Sequence, residues 1–165
     1  MSDYSDVLIL GVGNMLLGDE GVGVHVIREL EKKKLPGNIE LMDAGTALFS
    51  ILHLLKKRKK IVVIDAARGG KKPGTIYRIL PSQAKNEYNK LLSLHEMGLM
   101  ECLAELENEV RPRGIVIIGI EPDSIDWGLR LSSKLQKKLP EIVKAVMSEV
   151  SNHKITQITK STTPL

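Results

Sequence analysis

Residues 61–66 read IVVIDA, four apolar residues in a row closed by an aspartate and an alanine. A short, unbroken apolar run of this kind fits a strand buried on both faces of a sheet. The same texture recurs at Val7–Val12 (VLILGV), at Ile115–Ile120 (IVIIGI) and, in shorter form, at Ile39–Met42. Between these runs the spacing changes to that of amphipathic helices. Gly23–Glu31 places Val24, Ile27 and Leu30 on one face, and Leu48–Lys60 does the same with Ile51, Leu52 and Leu55 before a KKRKK end. A Gly/Lys/Pro turn, RGGKKPG, leads to a strand at Thr75–Leu80, short enough in its connection to run antiparallel. A polar stretch (PSQAKNEYNK) precedes a helix at Ser93–Glu107, and Leu129–Val150 reads as the final helix, interrupted near Pro140.

Strands alternating with helices, each strand apolar throughout, specify a mostly parallel sheet covered on both sides. The expected fold is α/β, a three-layer α/β/α sandwich of about five strands. No fixed-period repeat and no Pro/Ser-rich linker divides the chain, so residues 1–150 are read as one domain. Residues 151–165 (SNHKITQITKSTTPL) form a polar tail expected to fray.

Composition narrows the classes. The chain has 165 residues, a length at which a single domain buries roughly 68–70% of its unfolded surface. Lys and Arg total 24 against 20 Asp and Glu, a formal charge of +4 that is only mild evidence for acidic partners. One cysteine excludes a disulfide framework, an iron–sulfur cluster and a multi-thiolate zinc site. No apolar run approaches the ~18 residues of a membrane span. The beginning, MSDYSDVLILGVG, carries aspartates where a secretory signal needs Lys or Arg, so a cytoplasmic location is expected. Aromatic residues make up 3% of the chain and are scattered, which speaks against a base-stacking platform for nucleic acid. Nothing in the composition sets the oligomeric state, and a monomer is the default.

In an open parallel sheet, ligands bind beyond the carboxyl ends of the strands. Those ends deliver Gly11, Gly13, Asn14, Gly18, Asp19 and Glu20 after the first strand, Asp43 after the second, Asp65 after the third, and Glu121 and Asp123 after the last. His95 and Glu96 lie on the connection between the third and last. The glycine loop invites a nucleotide reading, yet GVGNML puts Leu16 where G-x-G-x-x-G needs its third glycine, and the G-K-[ST] of a P-loop is missing. Asp19 suits the cap of the helix that follows it. Glu20 is either a second residue of that turn or a ligand. Asp65 either ties down the turn AARGG or holds a cation. His95, in the first turn of a helix, is kept neutral by the helix dipole and is either a surface residue or a metal ligand. Two carboxylates and a neutral imidazole form an N/O donor set suited to a borderline divalent ion, with positions left for water or substrate. Cys102 reads as a helix core residue, no G-x-S-x-G elbow is present, and KKRKK reads as a solvated helix cap.

The segment GVGNMLLGDEGVGVHVIREL (11–30) resembles the opening signature of the hydrogenase maturation proteases, the endopeptidases of [NiFe]-hydrogenase assembly. The resemblance continues through DAGT (43–46), VVIDAAR around Asp65, SLHEMGL around His95 and IEPDSIDWGLRLS (120–132), in the family's order. It implies that Glu20, Asp65 and His95 bind nickel. It implies a substrate as well: the nickel-loaded precursor of the hydrogenase large subunit, whose C-terminal extension is removed. The metal then belongs to the precursor and is not permanently held. For the cleavage step two options stay open, nickel as Lewis acid or an aspartate as general base, as in an aspartyl-type protease. Asp65 and Asp43 are the candidate bases, although Asp43 equally suits an anchor for the turn into the second helix. Glu20 stands where some relatives have aspartate. The rival readings are a nickel-binding assembly chaperone that cuts nothing and a Rossmann-like nucleotide binder.

Overall fold

The computed structural model describes residues 5–81, 99–106, 108–110 and 114–152. Val7–Val12 forms β1, buried at every position, and Val22–Glu31 forms α1. Ile39–Gly45 is β2, Leu48–Leu55 is α2, and the IVVIDA run lies within β3, Lys60–Ala66. The antiparallel β4 spans Ile76–Ile79, followed by α3 at Leu99–Leu106, β5 at Gly114–Ile120 and α4 at Ser133–Ser151. The five strands lie in the order β2-β1-β3-β5-β4. All neighbours are parallel except β4 on β5, so the short RGGKKPG turn does reverse the chain.

Alternate residues of each strand enter opposite layers, because side chains on a strand point to alternate faces. Val7, Ile9, Val62, Ile64, Val116 and Ile118 pack with α1 and α4, through Val26, Leu30, Leu135 and Val146. Leu8, Leu10, Ile61, Val63, Ile115 and Ile117 pack with α2 and α3, through Leu48, Leu55, Leu103 and Leu106. Each fully buried Leu, Ile or Val contributes about 1.5–3 kcal/mol relative to exposure. The three-layer sandwich is therefore specified by strands apolar on both faces. Among the described residues no helix is long and apolar enough to cross a membrane.

The KKRKK segment is not a solvated helix cap. Helix α2 stops at Leu55, Lys57 takes a left-handed conformation (φ 67°), and the chain turns into β3. Two of the five basic residues then lie inside the protein. Arg58 donates to the Ser5 carbonyl at 3.0 Å and to Glu40 at 2.6 Å, and Lys60 donates to the Glu149 carboxylate at 3.1 Å and the Asn152 carbonyl at 3.1 Å. Their apolar stems extend the core while their charged ends find acceptors.

Helix α4 begins later than its sequence suggests. Ser132 caps it, with Oγ accepting from the Leu135 amide at 3.3 Å, and the helix continues uninterrupted through Pro140. Residues before Ser132, including Leu129, belong instead to a connection that folds back on the loop after β1. The expected start of a helix at Ser93, and the tail from 153 onward, lie outside the described residues.

Candidate active site

The sheet order sets where a ligand can enter. From β1 the chain crosses through α1 to β2 on one side, then returns over β1 through α2 to β3 on the other. The direction reverses between β1 and β3, and it is outside the carboxyl ends at such a reversal that open α/β sheets bind ligands. Two of the candidate residues occupy those two ends. Glu20 sits in a short 3-10 turn, Gly18–Gly21, that follows β1, and Asp65 is the penultimate residue of β3.

Both carboxylates are buried, Glu20 at 4% exposure and Asp65 at 8%. Asp65 Oδ1 accepts the amide of Ala66 at 2.8 Å, the turn-anchoring bond expected of an aspartate at a strand end. Two glycines make the arrangement possible. A Cβ on Gly23 would lie 2.2 Å from the Ile64 carbonyl and 2.4 Å from that of Val12, so only glycine lets α1 settle onto the ends of β1 and β3 together. Gly13, at φ +131°, would carry its Cβ 1.9 Å from the Glu20 carbonyl. At these two positions the glycine loop is thus packed against its own chain.

Asp43 stands at the end of β2, exposed, with Oδ1 accepting the Gly45 amide at 2.9 Å. Gly45 in turn accepts from the Gly13 amide at 2.9 Å through its carbonyl, tying this turn to the loop after β1. The anchoring role weighed for Asp43 is the one its hydrogen bond serves. His95 lies outside the described residues. Among the described residues no group of three or more His, Cys, Asp or Glu side chains could hold a metal ion.

Asp19 does not cap α1, which has no side-chain cap. Wholly buried, it accepts three backbone amides from the opposite side of the site: Asp123 at 2.9 Å and Ser124 at 3.1 Å through Oδ2, and Ser132 at 2.7 Å through Oδ1. The conformation of the 121–132 connection is therefore fixed by the residue next to Glu20. His25 of α1 lies beside the Leu129 backbone. Burial, helped by the neighbouring Arg28 charge, lowers its pKa and favours the neutral imidazole.

Glu121 closes the far side. Buried at the end of β5, it accepts the Gly69 amide at 2.7 Å and the Tyr77 hydroxyl at 2.5 Å through Oε2. Burial, then the Glu121 hydrogen bond and charge, push the Tyr77 hydroxyl up to about 12. This pair ties the loop after Asp65 to β4 and β5. Asp123 forms a surface ion pair with Lys134 at 2.8 Å. Neither clamp was readable from the sequence, since Asp19 looks like an ordinary cap and Glu121 pairs with residues 44 and 52 positions away.

The family model for hydrogenase maturation proteases matches residues 24–149. The hydrogenase 2 maturation protease of Escherichia coli is 28% identical over 145 residues, 86% of this chain and 88% of its own. Among solved structures, the hydrogenase maturating endopeptidase HybD of Escherichia coli superposes with a TM-score of 0.75 at 28% identity, covering 88% of this chain and 91% of that one. A hydrogenase 2 maturation peptidase from a Thaumarchaeota archaeon gives a TM-score of 0.66 at 30% identity, covering 88% of this chain and 98% of that one.

Proposed function

Because this chain belongs to the hydrogenase maturation protease family and is therefore a peptidase, we propose that it removes the C-terminal extension of the nickel-loaded [NiFe]-hydrogenase large-subunit precursor. Glu20, Asp65 and His95 are its nickel-recognising residues in this reading. The observation that carries it is the delivery of two buried carboxylates, Glu20 and Asp65, to the ends of β1 and β3, where the sheet reverses.

The nickel belongs to the substrate. Carboxylate and imidazole donors suit a borderline divalent ion, and a site that uses only a few ligands leaves the remaining positions to the precursor's own groups. Recognition then works by coupling. Free energy gained by sharing the precursor's metal is lost when the metal is missing, and each 1.4 kcal/mol of that loss is about tenfold in affinity. Water delivery to the scissile carbonyl falls to a carboxylate acting as general base. Asp65 is at the site but is asked to hold metal, so Asp43 is the second candidate, with its Oδ2 not committed to the Gly45 bond.

The test is mass spectrometry of the precursor incubated with the purified chain, with and without nickel. Loss of the extension only from the nickel-loaded form supports the reading. Complex formation with an unchanged precursor mass, or equal cleavage of both forms, overturns it. Glu20→Gln, Asp65→Asn and His95→Ala are each expected to lower kcat/KM by at least tenfold.

A further inference from the structure

Four large hydrophobic side chains are exposed among the described residues: Leu16 (50%), Phe49 (50%), Trp127 (82%) and Leu129 (63%). Three of them belong to two adjoining segments. Leu17 and Gly128 pair as a short parallel bridge, in which the Gly18 amide donates to the Gly128 carbonyl and the Gly128 amide to the Leu16 carbonyl, both at 2.9 Å. Residues 16, 127 and 129 flank that bridge.

The platform beneath them is fixed. The Asp19 carboxylate holds the Asp123, Ser124 and Ser132 amides, and the Asp19 amide donates back to the Ser124 carbonyl at 3.2 Å. An apolar group on a mobile loop is common, but here apolar side chains project from a segment whose backbone is tied down at several points. Clustered, exposed and preordered hydrophobics mark interaction surfaces, and tryptophan is the residue most enriched among the anchors of such surfaces. Preordering also lowers the entropy lost on association.

The position of the patch selects its occupant. The Glu20 amide donates to the Leu17 carbonyl at 3.2 Å, so the bridge that carries the patch runs directly into the turn that carries Glu20. A peptidase takes a polypeptide as substrate, and in the functional reading given above that polypeptide is held at Glu20, whose turn follows directly on this bridge. We propose that Leu16, Trp127 and Leu129 form the docking surface for apolar residues of the precursor near its scissile bond. The proposal deepens the functional reading given above and rests on it for the identity of the precursor.

The experiment uses the full chain with its single tryptophan replaced by 5-fluorotryptophan, observed by fluorine NMR as nickel-loaded precursor is added. The resonance is expected to shift or broaden on saturation. In Trp127→Ala, and separately in the Leu16→Ser/Leu129→Ser pair, Kd for the precursor is expected to rise at least tenfold, with the loss of turnover falling on KM more than on kcat. All three side chains are exposed, so thermal unfolding should stay close to that of the parent. A resonance unmoved by saturating precursor, or an unchanged Kd in both variants, overturns the proposal. So does a resonance that moves with protein concentration alone while sedimentation shows a dimer lost in Trp127→Ala, since the occupant is then a second copy. Movement of the resonance without cleavage upholds the docking surface and defeats the cleavage reading. Cleavage with an unmoved resonance does the reverse.

Discussion

Asp19 and Ser132 are joined across 113 positions of sequence by a 2.7 Å hydrogen bond from the Ser132 amide to Asp19 Oδ1. One residue thereby binds the loop after β1 to the start of α4, and it does so immediately beside Glu20. Asp19→Ala would leave the amides of Asp123, Ser124 and Ser132 without their carboxylate acceptor, each at a cost of about 1–3 kcal/mol. The variant should lose roughly 3 kcal/mol or more of stability in denaturant titration, with Asp19→Asn falling between it and the parent.

Gly23 provides the second handle on the site. With a Cβ 2.2 Å from the Ile64 carbonyl, Gly23→Ala must push α1 away from β3. Overpacking of this kind costs about 1–3 kcal/mol, visible as a lowered Tm. Because a displacement of about 1 Å in a site can cost about a hundredfold in rate, cleavage should fall by more than the stability change alone explains.

Acid sensitivity should centre on Glu149 at the other edge of the sheet. Burial raises its carboxyl pKa, but hydrogen bonds and charge from Arg78 and Lys60 together outweigh this and hold it below the ordinary 4.5. A depressed acid stabilises the folded state above its unfolded pKa, and that contribution is lost as pH falls through the folded value. Stability of the parent should therefore drop below about pH 4.5, and Glu149→Ala should show a shallower acid dependence. Removing one partner of a buried ion pair costs about 3–5 kcal/mol, so this variant should also be markedly less stable near neutrality.

Tyr77 gives the corresponding alkaline signature. Its hydroxyl, raised from 10.0 to about 12, is held protonated by burial and by Glu121. The sign is opposite to that of Glu149: the contribution is complete below pH 10 and lost as pH rises through 12. Ultraviolet titration should show a late-ionising phenol that disappears in Tyr77→Phe.

The fold was legible because its information is local. IVVIDA, VLILGV and IVIIGI are apolar on both faces and place β3, β1 and β5 within a residue of their ends. The same patterning failed where a residue's fate depends on a distant partner. Lys60 looks like helix-capping charge until Glu149 is brought beside it, 89 positions away, and Asp19 looks like a local cap until the 121–132 connection folds over it. The placement of Glu20 and Asp65 after β1 and at the end of β3 was legible because strand ends follow from element order alone. The exposure of Trp127 was not, since hydrophobicity along the chain does not tell a core tryptophan from one raised on a rigid rim.

The most direct measurement compares affinity for nickel-loaded and metal-free precursor in the parent chain and in Glu20→Gln. Metal bridging predicts that the parent binds the loaded form at least tenfold more tightly and that Glu20→Gln brings the two affinities together. A ratio that survives the substitution unchanged would contradict the role of Glu20 in reading the metal.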